Sequence, residues 1–318
     1  KRSKTNSKFA PNYFDIMHKK TIYIIIILIL GIISPIKSAS LLIPMDAAQK
    51  NHLKAYGIAF WVLEQGIEID WLLNYRGGSY LMKYHESFEN ECVIRGVTSQ
   101  VISDVQASSI KQQIMEPDVN MDIIELQKVP KIAVYSPKNK QPWDDAVTLA
   151  LTYAEIPYDV VYDHEVMSGM LPTYDWLHLH HEDFTGQYGK FWAHYRSYPW
   201  YKEDVAANEK IAMELGFAKV SDLKLAVTKK IRDFVVGGGY LFAMCSATDS
   251  YDVALSATNI DICDVMFDGD PMDPSAQEKL EYDKCMVFKD FTIVQNPAKY
   301  EISNIDVTET RPKSIREA

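Results

Sequence analysis

The reading of the fold turns on one stretch: Gly237-Gly238-Gly239-Tyr240-Leu241-Phe242-Ala243-Met244-Cys245-Ser246-Ala247-Thr248-Asp249-Ser250. The glycines break the helical pattern before them. Tyr240 to Met244 then reads as a strand, and a helix resumes within a few residues of Cys245. A strand that turns sharply into a helix lifts the side chain at the turn above the carboxyl edge of the sheet. With a thiol there, this is the layout of a nucleophile elbow, in which the N–H of the next residue, Ser246, faces a developing oxyanion at the helix N-terminus. The glycines usual two residues before and after the nucleophile are replaced here by Ala243 and Ala247, which are small enough for the close approach, though less so than glycine. The competing reading is a structural cysteine buried at a strand end.

Working outward, Lys131–Tyr135, Tyr158–Tyr162 and Tyr174–His180 read as further strands. A helix is expected over Trp143–Ala154, with Asp144 and Asp145 in its first turn where the helix dipole favours acids. A long helical region is expected over Glu203–Val236, and another over Asp249–Leu255. Upstream, Leu41–Met45 reads as a strand, and Asp46 as the cap of a helix that runs to Glu64 and stops at Gly66. Ile67–Leu73, Ser79–Met82 and Cys92–Val101 read as strands, Arg76-Gly77-Gly78 as a turn, and Asp104–Met115 as a helix. Strands alternating with helices predict an α/β domain over residues 41–318, with a mostly parallel sheet covered by helices on both faces. Pro130 marks a restart, which sets a sub-boundary near 127–130.

A second cluster carries chemistry: His178-Leu179-His180-His181-Glu182-Asp183-Phe184. Alternation along a strand puts His178 and His180 on one face. The pair suits three roles: metal ligation if a third ligand arrives, general-base catalysis, or two hydrogen-bonded, partly buried imidazoles. If the strands ending near His180 and Met244 are parallel neighbours, His180, His181, Glu182 and Cys245 line one crevice at the carboxyl edge, with Ser136 at the end of the strand 131–135. Arg76 is an anion-binding candidate in its glycine turn. Trp192, Tyr195, Tyr198, Trp200 and Tyr201 form an aromatic-rich insertion that suits a lid, a sugar platform or plain packing.

The chain has 318 residues with 33 Lys+Arg, 43 Asp+Glu and a net charge of −10. Residues 1–40 hold seven basic residues and one acid, which leaves −16 on the remainder. A body this acidic argues against a nucleic-acid partner. His18-Lys19-Lys20, the uncharged run Thr21–Ile33 and the small residues up to Ser40 read as an upstream segment plus a secretory signal peptide. The rival is an uncleaved anchor, which would be the chain's sole link to a membrane, although the run is shorter than a full span. Cys92, Cys245, Cys263 and Cys285 match no zinc spacing, and their pairing is not fixed by sequence. No metal and no cofactor is expected.

Leu41-Leu42-Ile43-Pro44-Met45-Asp46, Asn51-His52-Leu53-Lys54-Ala55-Tyr56-Gly57, Asp70-Trp71-Leu72-Leu73-Asn74-Tyr75-Arg76-Gly77-Gly78, His178–Phe184 and Ala243–Ser250 resemble an exported bacterial family labelled "asparagine synthetase B". The resemblance spans residues 41–318. It implies the flavodoxin-like sheet of the class I glutamine amidotransferase-like superfamily, a periplasmic or envelope location and a small-molecule amide substrate. It also implies that Cys245 attacks an amide carbonyl with a histidine as its base. An N-terminal nucleophilic Cys and a Ser-Gly-Gly-Leu-Asp-Ser loop for ATP are absent, so ATP-dependent asparagine synthesis is not expected. The superfamily's His-x-Glu follows its Cys, whereas this sequence carries no His after His194. Either His180 or His181, oriented by Glu182, takes that part, or the partner lies beyond Ala318. Some members of the superfamily bind ligands without catalysis, which keeps an inactive envelope binding protein as the alternative.

Overall fold

The computed structural model describes residues 39–137 and 146–306. The run Thr21–Ile33, the helix start expected at Trp143 with Asp144 and Asp145, and the ending Arg311–Ala318 lie outside the described residues.

The first half runs β1 (Ala39–Ile43), α1 (His52–Glu64), β2 (Ile69–Leu73), β3 (Ser79–Lys83), α2 (Glu86–Ile94), β4 (Gln100–Ser103), α3 (Asp104–Ile114) and β5 (Asp122–Leu126). Its strands form one sheet in the order β4-β1-β3-β2-β5, and every neighbouring pair is antiparallel. The expectation of a mostly parallel sheet therefore fails here. Leu41 and Ile43 pack with residues of α1 and α2, while Leu42 packs on the other face with Ala107 and Ile114 of α3. A strand buried on both faces reads as a continuous apolar run whichever way its neighbours point.

Two local readings are corrected. Cys92 lies in a helix, not a strand. The His85 side chain accepts the N–H of Ser87, Glu86 and Glu89 occupy the first turn, and Phe88 and Cys92 bury one face. The β-branched Val93 and Ile94 that suggested a strand are 73% and 75% exposed. Asp46 does not cap α1. Asn51 does, accepting from the Lys54 N–H at 3.1 Å.

The second half runs β6 (Ile132–Tyr135), α4 (Ala146–Ala154), β7 (Asp159–Val161), α5 (Asp163–Met167), β8 (Trp176–Leu179), α6 (Trp192–Tyr195), α7 (Pro199–Glu214), α8 (Val220–Val236), β9 (Tyr240–Ala243) and α9 (Ser246–Ser256). These strands form a fully parallel sheet in the order β7-β6-β8-β9. The expected helix over 203–236 is two helices, broken at Gly216 with φ +83°. One face of the sheet packs Ala133, Tyr135, Leu177 and Leu179 against Val227 and Ile231 of α8 and Ala247 and Tyr251 of α9. On the opposite face, Tyr240 and Phe242 of β9 stay 77% and 54% exposed. Cover on both faces is thus not complete among the described residues.

The halves meet where α1 crosses α4. A Cβ added at Gly57 would stand 1.8 Å from the Ala154 carbonyl oxygen, so only glycine permits this approach. Beside it, Lys54 and Arg95 both pair with Glu155. Among the described residues, no helix is long and apolar enough to cross a membrane.

Candidate functional site

β8 and β9 are parallel neighbours in register, with Leu179 opposite Ala243. Their carboxyl ends are therefore level, and the two sequence clusters meet there. Cys245 occupies the turn with φ +54° and ψ −142°, a conformation that costs a non-glycine residue energy. α9 begins at the next residue. The thiol is exposed, while Ala247 just beyond it is completely buried.

The loop after β8 is stitched to the start of α9. The Met244 N–H donates to Leu179 O at 3.1 Å, and the Ala247 N–H to His180 O at 3.2 Å. Ser246 Oγ donates to His181 O at 2.8 Å, and Ser250 Oγ to Glu182 O at 3.1 Å. The Phe184 N–H in turn donates to Ser250 Oγ at 3.2 Å. Serine hydroxyls at 246 and 250 thus register the His180–Phe184 loop against the elbow. Ser246 holds the first position of the helix, where a backbone N–H has no intrahelical acceptor and can face an anion.

His180 and His181 are in mutual contact, Nδ1 to Nδ1 at 3.3 Å, so one ring donates and the other accepts. Glu182 is buried and its Oε2 accepts the backbone N–H of His180 at 3.0 Å, which fixes the loop's backbone. Among the described residues no group hydrogen-bonds the Cys245 sulfur, so neither imidazole is seated on the thiol. Ser136 lies at the end of β6, its N–H donating to Val161 O at 3.0 Å. Arg76 is not part of this edge. It sits in the antiparallel half, its guanidinium on the Asp46 carboxylate at 2.6 and 3.3 Å, and that contact holds Arg76 above and Asp46 below their ordinary pKa. Its role is to fix the turn against the segment after β1.

His178 stacks on Phe242, with centroids 5.4 Å apart, on the face away from α8. Among the described residues, no third side chain joins His178 and His180 in a group placed to hold a metal. Among the described residues the one metal-like cluster is Asp261, Cys263 and Asp268, and it contains no histidine. Lys219 already supplies its cation, with Nζ 2.9 Å from Asp261 and 3.0 Å from Asp268. The cysteines are free thiols. Burial pushes Cys92 up to about 11 and Cys285 up to about 12, and holds Cys263 well above its ordinary value. Such thiols are poor nucleophiles at neutral pH.

Three groups that shape this edge gave no sequence signal. Between the diverging ends of β6 and β8 lies a cavity of about 70 Å³, lined by Pro137, Tyr162, His181, Glu182, Asn208 and Lys224 among others. On its floor, Lys224 Nζ donates to Asp163 at 2.8 Å and to Tyr162 and Tyr135 at 3.0 and 3.1 Å. The other two groups are carboxylates on α9. Asp249 accepts the N–H groups of Ile302 and Ser303 at 3.2 and 3.0 Å, and Asp252 accepts those of Met286, Val287 and Phe288. These residues resemble an exposed helical face in sequence, yet they are buried as anchors for a later segment. A larger cavity of about 670 Å³ opens at the opposite edge of the sheet, around Pro130, Phe234 and Gly237–Tyr240. It is remote from Cys245, and no cysteine, serine or histidine is among its lining residues.

No family model matches the chain, and no curated protein or solved structure matches it either.

Proposed function

We propose that the chain is a flavodoxin-like, class I glutamine amidotransferase-like protein of the cell envelope that hydrolyses a small-molecule amide through Cys245. The single observation that carries this is the strained, exposed thiol at the strand-to-helix turn. Strained backbone at a solvent-facing nucleophile is unfavourable for stability alone and is a recurrent feature of reactive turns. The strand order β7-β6-β8-β9 supports the flavodoxin-like reading, because its switch point falls between β6 and β8, where the 70 Å³ cavity opens.

In the reaction the Cys245 sulfur attacks the amide carbonyl carbon. The S–C bond forms, and the oxyanion is held by the Ser246 N–H. The C–N bond then breaks, and the amine leaves with the thiol's proton. Water cleaves the thioester, releasing the acid and restoring the thiol. The His180–His181 pair, one backbone hydrogen bond from the elbow, is the base we assign, and it must close on the sulfur when substrate binds. Export follows from the basic, apolar, small-residue order of the N-terminus.

The test uses iodoacetamide near pH 7, with the modified peptide mapped, followed by ammonia release from a panel of primary amides that includes glutamine. The expected result is Cys245 alkylation faster than that of glutathione, and ammonia release that Cys245→Ala abolishes. Alkylation at the glutathione rate with no amide consumed removes the hydrolase. The absence of an imidazole on the sulfur favours one second reading, a non-catalytic binder using the same crevice. That reading is defeated if Cys245→Ser loses function at an unchanged melting temperature.

A further inference from the structure

The three glycines before β9 also shape the cavity of about 670 Å³ at the opposite edge of the parallel sheet. Its walls are largely apolar, with Val129, Pro130, Val166, Leu171, Tyr174 and Phe234 among them. Gly239 makes room for the Phe234 ring, since an added Cβ would stand 2.2 Å from its Cζ. Gly238, at φ +101°, takes a backbone conformation that other residues rarely adopt. The N–H groups of Gly237, Gly238 and Gly239 donate to the carbonyls of Asp233, Val235 and Phe234 at 2.9, 3.0 and 3.0 Å, so the end of α8 is closed on itself. Small-ligand sites are cavities of about 300–1,000 Å³ with apolar walls and a few polar groups, and this one fits that description.

The charged groups lining the cavity are not equivalent. Asp175 Oδ2 accepts the Lys131 N–H at 2.8 Å, and Asp233 Oδ1 lies 3.5 Å from Arg232 Nη2. Lys128 and Lys230 are exposed, and their ammonium groups have no hydrogen-bond or ion-pair partner among the described residues. A third cation, Lys131 Nζ, stands 4.5 Å from the centroid of the Tyr174 ring. The acids are thus engaged while two cations remain available, which suits an anionic group at the mouth of an apolar chamber.

We infer that this cavity binds a lipophilic carboxylate, its apolar body against Phe234 and Tyr174 and its carboxylate at Lys128 and Lys230. The site takes its ligand whether or not Cys245 is a nucleophile, because the two lie at opposite edges of the sheet.

The experiment titrates the full chain with two fluorescent probes, the anionic anilinonaphthalene sulfonate and the neutral N-phenylnaphthylamine. We expect saturable binding of one molecule of the anion per chain. Lys128→Glu with Lys230→Glu should weaken the anion about tenfold and change the neutral probe less than about twofold, as two charged contacts near solvent require. Tyr240→Ser should weaken both probes about threefold, since its ring is part of the wall. All three substituted residues are exposed, so the variants keep the fold. Dodecanoate and naphthoate then compete with the bound anion. Displacement by the first identifies an acyl chain as the apolar body, and displacement by the second a flat ring. No saturable binding, an anion affinity that either variant leaves unchanged, or a bound anion that neither carboxylate displaces overturns the site.

Discussion

Replacing Lys224 with methionine tests how the crevice floor is held together. The ammonium is enclosed by Asp163 at 2.8 Å, Tyr162 at 3.0 Å and Tyr135 at 3.1 Å, and the two charged side chains are 4% and 0% exposed. Burial alone would lower Lys224, but the Asp163 carboxylate more than offsets it and holds the lysine above its ordinary value. Methionine keeps the volume of the stem and removes the charge. Asp163 is then left buried without its cation, with the Tyr135 hydroxyl as its remaining side-chain donor among the described residues. Breaking a buried pair in this way costs about 3–5 kcal/mol. Asp163→Leu should cost a similar amount, since it strands the ammonium. The double variant should cost less than either single one, about 1–3 kcal/mol, because it leaves an unpartnered Tyr135 hydroxyl and no buried charge. Urea titrations followed by tryptophan fluorescence give the three values and the coupling between the sites. Single losses under about 1 kcal/mol, or a double loss equal to the sum of the singles, would refute the argument.

Other outcomes follow from particular contacts. Cys245→Gly should stabilise the fold by about 1 kcal/mol, since relief of the φ +54° strain exceeds the added chain entropy, while Cys245→Ala gains nothing in a urea titration. Gly57→Ala should lower stability by about 2 kcal/mol despite better helix propensity, because its methyl meets the Ala154 carbonyl at 1.8 Å; an unchanged urea midpoint would contradict that packing. Cys92 predicts a pH effect. Burial raises its thiol from 9.0 to about 11, so the unfolded chain loses this proton first and stability falls as pH rises from 9 to 11. The fall attributable to this thiol is about 2 kcal/mol, and stability measured across pH 8.5–10.5 should decline less steeply in Cys92→Ala than in wild type.

The parallel half was legible because its signals are local. Gly237–Gly239 ends one element, Tyr240–Met244 spans the next, and nothing else in the sequence competes for that stretch. The antiparallel half was not, because strand direction is set by connections and partners that an apolar run does not encode. The Cys92 helix was missed for a related reason: Val93 and Ile94 have strand propensity but face solvent, and tertiary burial of Phe88 and Cys92 on the other side decided the conformation.

At the site, groups that sit on regular elements are legible in the sequence, whereas those that arrive from afar are not. Cys245 and His180 follow neighbouring strands, and the sequence reached their common edge only by assuming that adjacency, which the register of β8 and β9 supplies. Asp249 and Asp252 look like solvent-facing helix residues, and no periodicity reveals that backbone N–H groups from residues 286–288 and 302–303 will cover them. A buried acid on an amphipathic helix departs from local pattern rules, and such departures concentrate where structure serves function. Here the departure falls on the helix that begins at the strained thiol. The same helix therefore follows directly on the strained thiol and fastens the later segment that carries Tyr300. Loosening that segment should leave the elbow in place, because β9, α9 and the loop after β8 are held by bonds that do not involve it: Met244 to Leu179, Ala247 to His180, and Ser246 to His181.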